Sequence, residues 1–519
     1  MGDGRNKAVP FAARLPKRGK QEKNLTGFFI EIFRKNILKT IDFFPFSFYN
    51  VSRCKKSGSG LFMKGSVDLT VGNPWKNILY FCVPILISNI FQQLYSMVDT
   101  IIVGQTISLS ALAAVGCTGS ISFLVIGFIS GITGGFGVMM AQYFGAKNEE
   151  NFKRSVGTCY LLSIIVSVVV TAIAVPTAMP LLRLMRTGDD IIGRAYSYIV
   201  TIYAGVAATV IYNMSAAMLR AIGDSRSPLI FLIMASVLNI GLDFLFILFF
   251  HMDVMGAGLA TVLSQLIAGV ACIVYGLKRY EILRIRREHL RWNTSFAWKH
   301  TMVGLPMALQ FSITAIGVMV VQSVLNDLGT IKVAAYTAAS KIDTIAQQPF
   351  LAMGAAIATY CAQNYGAHRF ERIRQGMNIG LVLTILFSVF GFVLVLVLRS
   401  PLLRLFSEDY ATIQEDAYLY LFINTGSYLF LGLIYLYRNG IQGMGFSAVT
   451  MLSGVTELVM RVFAALVFAK LWGFVGVCSA NPAAWVGADI ILIVIYFLVY
   501  KRKLKPALLK ERELLAQNL

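Results

Sequence analysis

The sequence is short of charge. Only 14% of its 519 residues are Asp, Glu, Lys or Arg, where soluble domains carry roughly a quarter. Against that, 57% are hydrophobic and the mean hydropathy is +0.68, values that exclude a soluble enzyme. The seven cysteines (Cys54, Cys82, Cys117, Cys159, Cys272, Cys361, Cys478) are odd in number, scattered and without a CxxC pair. They define neither a disulfide framework nor a thiolate metal site. The four histidines, His251, His289, His300 and His368, lie too far apart to read as a zinc site. There is no phosphate-binding glycine loop, no GxSxG motif and no nucleophile-base pair, so neither a nucleotide-driven pump nor an enzyme is expected, and no cofactor is implied.

What the chain has is apolar length. Twelve runs can cross the ~30 Å hydrocarbon layer, near 78 to 104, 112 to 141, 156 to 180, 196 to 219, 228 to 250, 254 to 277, 302 to 325, 334 to 362, 378 to 398, 416 to 437, 448 to 469 and 473 to 499. They predict an all-α polytopic membrane protein. The formal net charge of +20 is unevenly spread: residues 1–76 hold 15 basic and 5 acidic residues. With the amino terminus inside, the inner segments beyond residue 76 hold 22 basic residues and the outer ones 7. Cytoplasmic segments retain positive charge, so both termini are predicted cytoplasmic in a multi-pass protein of the cell membrane, and the basic tail is not read as a nucleic-acid site.

The twelve runs are two copies of six. Ala141-Gln-Tyr-Phe-Gly-Ala146 returns as Ala362-Gln-Asn-Tyr-Gly-Ala367, and Pro180-Leu-Leu-Arg-Leu184 as Pro401-Leu-Leu-Arg-Leu405, both 221 residues on, while Pro84 and Pro306, and Gly223 and Gly445, are 222 apart. An even number of spans per copy gives both copies one orientation, so the predicted pseudo-twofold axis runs along the membrane normal, with a cavity between two six-helix lobes. The expected division is a basic tail over 1–75, an amino-terminal lobe over 76–277, a cytoplasmic linker over 278–299, a carboxyl-terminal lobe over 300–500 and a cytoplasmic tail over 501–519. Phe28 to Tyr49 is apolar but broken by five charged residues, neither a clean span nor a signal peptide. The tail reads as a disordered basic segment, or as sequence upstream of a natural start at Met63.

An ionisable residue inside a span is a functional candidate, because a charge in hydrocarbon costs at least a few kcal/mol. Asp99 and Asp243 are the clearest, each within roughly 10 Å of the outer surface at ~1.5 Å per residue. Asn239, four residues before Asp243, shares its helix face, and Thr261 stands as far after residue 252 as Asp243 stands before it. If spans one, five and six are neighbours, Asp99, Asn239, Asp243 and Thr261 form one polar cluster. Two carboxylates in a partly dry pocket resist carrying both charges, so the cluster is able to take up a proton; its oxygens equally suit Na⁺. The purely structural reading, carboxylates that only fix helix packing, is weakened because the second copy has Val321 and Ala465 at the equivalent positions. Gln92, Gln93, Tyr95, Gln310 and Lys341 are candidates for the substrate cavity, Lys341 and Asp343 lie together in span eight, and Glu457 and Arg461, four apart, read as a structural pair.

Taken together, "GNPWKNILYFCVPILISNIFQQLYSMVDTIIVG" from Gly72, "AQYFGAKNEENFKR", "LRAIGDSRSPL", "LNIGLDFLFI" and "GAGLATVLSQ" resemble the multidrug and toxic compound extrusion family. The resemblance spans residues 65 to 500. It implies two lobes around a central cavity and export of cationic, amphipathic drugs driven by an inward H⁺ or Na⁺ gradient; the carrier is expected to be a monomer. By similarity, Asp99, Asn239, Asp243 and Thr261 match the amino-terminal-lobe cation site of DinF-like and archaeal members, and Pro84 matches the proline at which the first helix is held to bend. NorM-like members carry carboxylates in spans seven and ten that this chain lacks, which favours the DinF-like branch and H⁺, with Na⁺ as the other candidate ion. The rival reading is a lipid-linked oligosaccharide flippase of the same superfamily, which would need cavity cations such as Arg220, Lys341, Arg438 and Arg461.

Overall fold

The computed structural model describes residues 68–185, 187–404 and 410–517. The predicted basic tail, apart from its last residues, and the proposed start at Met63 lie outside the described residues.

Asparagine starts several of the helices. Asn73 Oδ1 accepts from the Trp75 amide at 2.9 Å, Asn148 Oδ1 from Asn151 at 3.0 Å and Asn293 Oδ1 from Phe296 at 2.8 Å, each satisfying an amide that has no partner within its helix. The apolar runs then continue as α1 (Pro74–Thr106), α2 (Gly119–Gly145), α3 (Glu149–Leu184), α4 (Ile192–Ala204 and Val206–Ala221), α5 (Arg226–Phe244), α6 (Asp253–Arg279), α7 (Thr294–Asn326), α8 (Thr330–Ala346 and Gln348–Gly366), α9 (Phe370–Arg404), α10 (Tyr410–Gly426 and Tyr428–Gly443), α11 (Ser447–Phe463) and α12 (Ala480–Val499). They form two six-helix lobes, α1–α6 and α7–α12.

Among the described residues nine helices are long and apolar enough to cross a membrane by themselves, and α4 and α10 do so as bent pairs, at 48° and 43°. The twelfth predicted span is α8. Its expected uninterrupted run over 334–362 is broken at Gln347, where Lys341, Asp343, Gln347 and Gln348 crowd polar groups into the middle of the span. The second predicted span also differs at its start, since Leu109–Cys117 is a separate short helix and α2 begins at Gly119.

The repeat extends to backbone conformation. Lys147 and His368, just after the two AQxxGA motifs, have φ of 56° and 55°; Gly223 and Gly445 have 85° and 90°; His251 and Gly473, 222 apart, have 54° and 56°. Both α5 and α11 run on into a π turn, Leu245–Phe249 and Ala464–Phe468.

The lobes meet first where α2 lies along α7. Small residues every fourth position let the backbones touch: a Cβ on Gly135 would stand 2.4 Å from Gly304 Cα, and one on Gly131 2.6 Å from Ala308 Cα. At the end carrying the repeated motifs the contact becomes reciprocal. Gln142 Nε2 donates to the Gly443 carbonyl at 2.9 Å, and Gln363 Nε2 donates to the Ala221 carbonyl at 2.9 Å. Gly145 lies against the Gln363 carbonyl and Gly366 against that of Gln142. This end of the molecule is sealed.

The connection over 278–299 is folded onto the first lobe. Tyr280 and Leu283 are buried, and the Tyr280 hydroxyl donates to Asp224 Oδ2 at 2.9 Å. Burial, then the Asp224 carboxylate, push this phenol's pKa well above its usual value, so it stays a donor. The predicted tail after 500 is helical: Lys505–Gln517 follows a π turn, and Glu511 Oε2 accepts from the Phe370 and Glu371 amides at 3.0 and 3.2 Å, capping α9.

Candidate ion site and interlobe cleft

Helices α1, α5 and α6 are neighbours, and they bring Asp99, Asn239, Asp243 and Thr261 together. The first three are 7%, 1% and 0% exposed. The Asp99 and Asp243 carboxyls are within hydrogen-bonding reach of each other, and Asn239 Nδ2 donates to Thr261 Oγ1 at 3.4 Å. Asp99 Oδ1, Asn239 Oδ1 and both Asp243 oxygens are buried without a hydrogen-bond donor. Buried polar oxygens are nearly always satisfied, so four orphans in one place make this cluster the candidate site for a proton or a small cation. Two carboxylates with amide and hydroxyl oxygens are hard ligands that suit Na⁺ as well as H⁺ and do not suit soft metals. Among the described residues no group of three or more His, Cys, Asp or Glu is placed to hold a metal ion.

Two further residues complete the wall. Tyr198 of α4 stands near Asp99, Asp243 and Tyr95. Gln265 of α6 stands near Tyr95 and accepts from Thr209 Oγ1 at 2.7 Å. Tyr95 therefore belongs to the ion site's surroundings and does not line the cleft. Pro84 lies inside α1, fifteen residues before Asp99.

The cleft, about 1220 Å³, lies between α1 and α8 toward the end opposite the seal, between the helix ends at Gly104 and Gly329. Gln93 and Lys341 line it, while Gln92 does not. Gln310 faces the interior of the second lobe, donating to the Thr450 carbonyl at 3.2 Å and accepting from Gln442 Nε2 at 2.8 Å. Asp343 also turns inward: Tyr428 and Tyr420 donate to it at 2.7 and 3.1 Å, and Gln347 Nε2 at 2.7 Å.

This architecture is matched outside the chain. A sequence model of the MatE family fits residues 84–245 and again 306–467, two segments 222 residues apart that cover more than half the chain. The chain belongs to the MatE family. It is 27% identical over 439 residues to the probable multidrug resistance protein YoeA of Bacillus subtilis, covering 83% of this chain and 95% of that one. It is 25% identical over 451 residues to the probable multidrug resistance protein NorM of Thermotoga maritima, covering 84% and 95%. A crystal structure of a MATE in complex with MaL6 superposes with a TM-score of 0.78 at 25% identity, covering 86% of this chain and 99% of that one.

Within this MATE scaffold the lobes differ in charge. Position 461, 222 after Asn239, is an arginine. Arg461 NH2 pairs with Glu457 Oε1 at 2.8 Å and Arg438 NH2 with Glu457 Oε2 at 2.8 Å, all three groups largely buried. Asp489 of α12 is 4% exposed, and neither of its oxygens has a donor; the criterion that singles out Asp99 applies to it equally. Glu457→Gln leaves two buried guanidiniums without their shared carboxylate. Breaking a buried pair costs about 3–5 kcal/mol, so this variant should unfold at a clearly lower temperature than the wild type in detergent.

Proposed function

We propose that this MATE protein is an ion-driven antiporter of the cell membrane, DinF-like in its ion site, exporting amphipathic compounds in exchange for H⁺. The observation that carries the reading is that one helix does two jobs. Asp99 stands on the side of α1 that meets α5 and α6, while Gln93, Ser96, Thr100 and Gln105 of the same helix line the cleft. Loading the Asp99/Asp243 cluster changes the charge at the back of α1. A bend of α1 at Pro84 in response reshapes the front, where substrate sits, and this coupling does not depend on the substrate's own charge.

With both termini cytoplasmic, the cleft opens outward and the seal at Gly145 and Gly366 closes the inner end. Alternating access is then a rocking of the lobes 76–277 and 300–500 about the cleft, with 278–299 as their connection. Two carboxylates sharing one proton need no further ligands, which favours H⁺, with Na⁺ the other candidate. The chain is read as a monomeric carrier without catalytic activity or cofactor. A lipid-linked oligosaccharide flippase is the second reading, favoured by Lys341 in the cleft.

The test is transport by the purified chain in proteoliposomes with a pH gradient or a Na⁺ gradient imposed separately. Efflux of an amphipathic dye driven by the pH gradient alone is expected. Drive by Na⁺ alone reassigns the ion, and gradient-independent movement of a polyprenyl pyrophosphate selects the flippase.

A further inference from the structure

The family resemblance leads one to expect cationic substrates, and the cleft is not built for them. A bound organic cation is held by a carboxylate or by the face of an aromatic ring. Among the described residues, the nineteen that line this cleft include neither an acid nor a Phe, Tyr or Trp, and their one charged side chain is Lys341. Of the carboxyls next to lining residues along the chain, Asp327 is exposed beside Asn326 at the end of α7, and the two within spans are committed elsewhere. Asp99 is 7% exposed and turned to α5 and α6, and Asp343 is 3% exposed and held by Tyr420, Tyr428 and Gln347. Lys341 itself is exposed to the cleft and has no ion pair or hydrogen bond among the described residues.

Its depth makes the isolation informative. Lys341 is eleven residues beyond the start of α8 at Thr330, roughly 16 Å along a helix and so about half of the ~30 Å hydrocarbon layer. An ammonium at that depth is retained against a cost of at least a few kcal/mol, and no partner among the described residues offsets it. Around it the cleft presents hydroxyls and amides (Thr337, Thr344, Asn326, Gln93) and, on the α1 side, apolar Met97 and Ile101.

From these observations we infer that the cleft takes an amphipathic organic anion, its carboxylate, sulfonate or phosphate paired with Lys341 and its apolar body against Met97 and Ile101. The inference rests on the transporter reading only in treating the cleft as the substrate site. The same chemistry is offered by a soluble organic anion and by an anionic lipid headgroup.

The test is equilibrium binding to the purified full chain in detergent, with no gradient, by fluorescence anisotropy of two xanthene dyes of opposite charge, carboxyfluorescein and rhodamine 6G. Carboxyfluorescein should bind at least about tenfold more tightly than rhodamine 6G, Lys341→Gln should remove that preference, and Lys341→Arg should keep it, since a charge-assisted contact accounts for a factor of about ten or more. Displacement of carboxyfluorescein by phosphatidylglycerol and not by phosphatidylcholine identifies a lipid headgroup as the natural source; resistance to both identifies a soluble anion. Tighter binding of rhodamine 6G, failure of carboxyfluorescein to bind, or an unchanged affinity in Lys341→Gln overturns the inference. Because no gradient is imposed, a chain inert in the efflux assay still gives a reading here, and failure here leaves ion-driven export standing.

Discussion

An alanine at position 366 is expected to hold the carrier open at its sealed end and to cut gradient-driven efflux to less than about a tenth of wild type. A Cβ there would lie 1.9 Å from the Gln142 carbonyl oxygen and 2.7 Å from its carbon, and a Cβ on Gly145 would lie 1.9 Å from the Gln363 carbonyl oxygen. Both obstacles are backbone, which does not turn aside as a side chain would. The lobes must separate, and the paired amide bonds of Gln142 and Gln363 separate with them. An equilibrium shift of ~1.4 kcal/mol is already tenfold in population, and a backbone overlap of this depth exceeds that. Spin labels on the two lobes beside positions 146 and 367 read the separation directly. Gly116→Ala is the control, since nothing lies within 4 Å of its Cβ, and it should behave as wild type. If Gly366→Ala showed wild-type distances and wild-type efflux, the seal would have no part in the cycle.

Asp99→Asn should abolish the dependence of efflux on the imposed gradient while leaving the fold intact. A ligand shifts a conformational equilibrium only through its different affinity for the two states, and an amide at position 99 leaves Asp243 alone, with no carboxyl on α1 for the driving ion to share between α1 and α5. Asp243→Asn should act in the same way. Stability should hold or rise, because each change removes one of two adjacent carboxyls that have no donors. The two readouts are dye efflux from proteoliposomes and the thermal midpoint in detergent. Gradient-driven efflux by Asp99→Asn at the wild-type rate would return this cluster to a packing role.

The parts of the molecule that follow from counting along the chain were legible in the sequence. The repeat was visible in Gly223 and Gly445 or in the two AQxxGA motifs, and the convergence of Asn239, Asp243 and Thr261 follows from one helix turn and one short connection. Depth in the membrane is set by distance along a helix, so it can be counted. Azimuth is set by how neighbouring helices are rotated, and there the sequence runs out. Gln92 and Gln93 differ only in azimuth, and only Gln93 lines the cleft. Tyr198 comes to the ion site from α4 through a contact that no spacing announces, and Gln310 turns away from the cleft into the bonds offered by Gln442 and Thr450. The break in α8 was hidden because apolar residues flank it on both sides. That the repeated motifs meet each other across the axis required the fold.

Arg461 sets the two lobes apart in how a charge is held. The two lobes share a scaffold, yet the second carries its positive charge on a side chain, at the position equivalent to Asn239 and already matched to Glu457. That charge cannot be diluted, competed for or exhausted by changing the bath. At this pair of equivalent positions a change of medium leaves the second lobe's charge in place, while the Asn239 oxygen has no donor of its own. A symmetrical frame thus holds a built-in cation at one of two equivalent places and an open oxygen at the other.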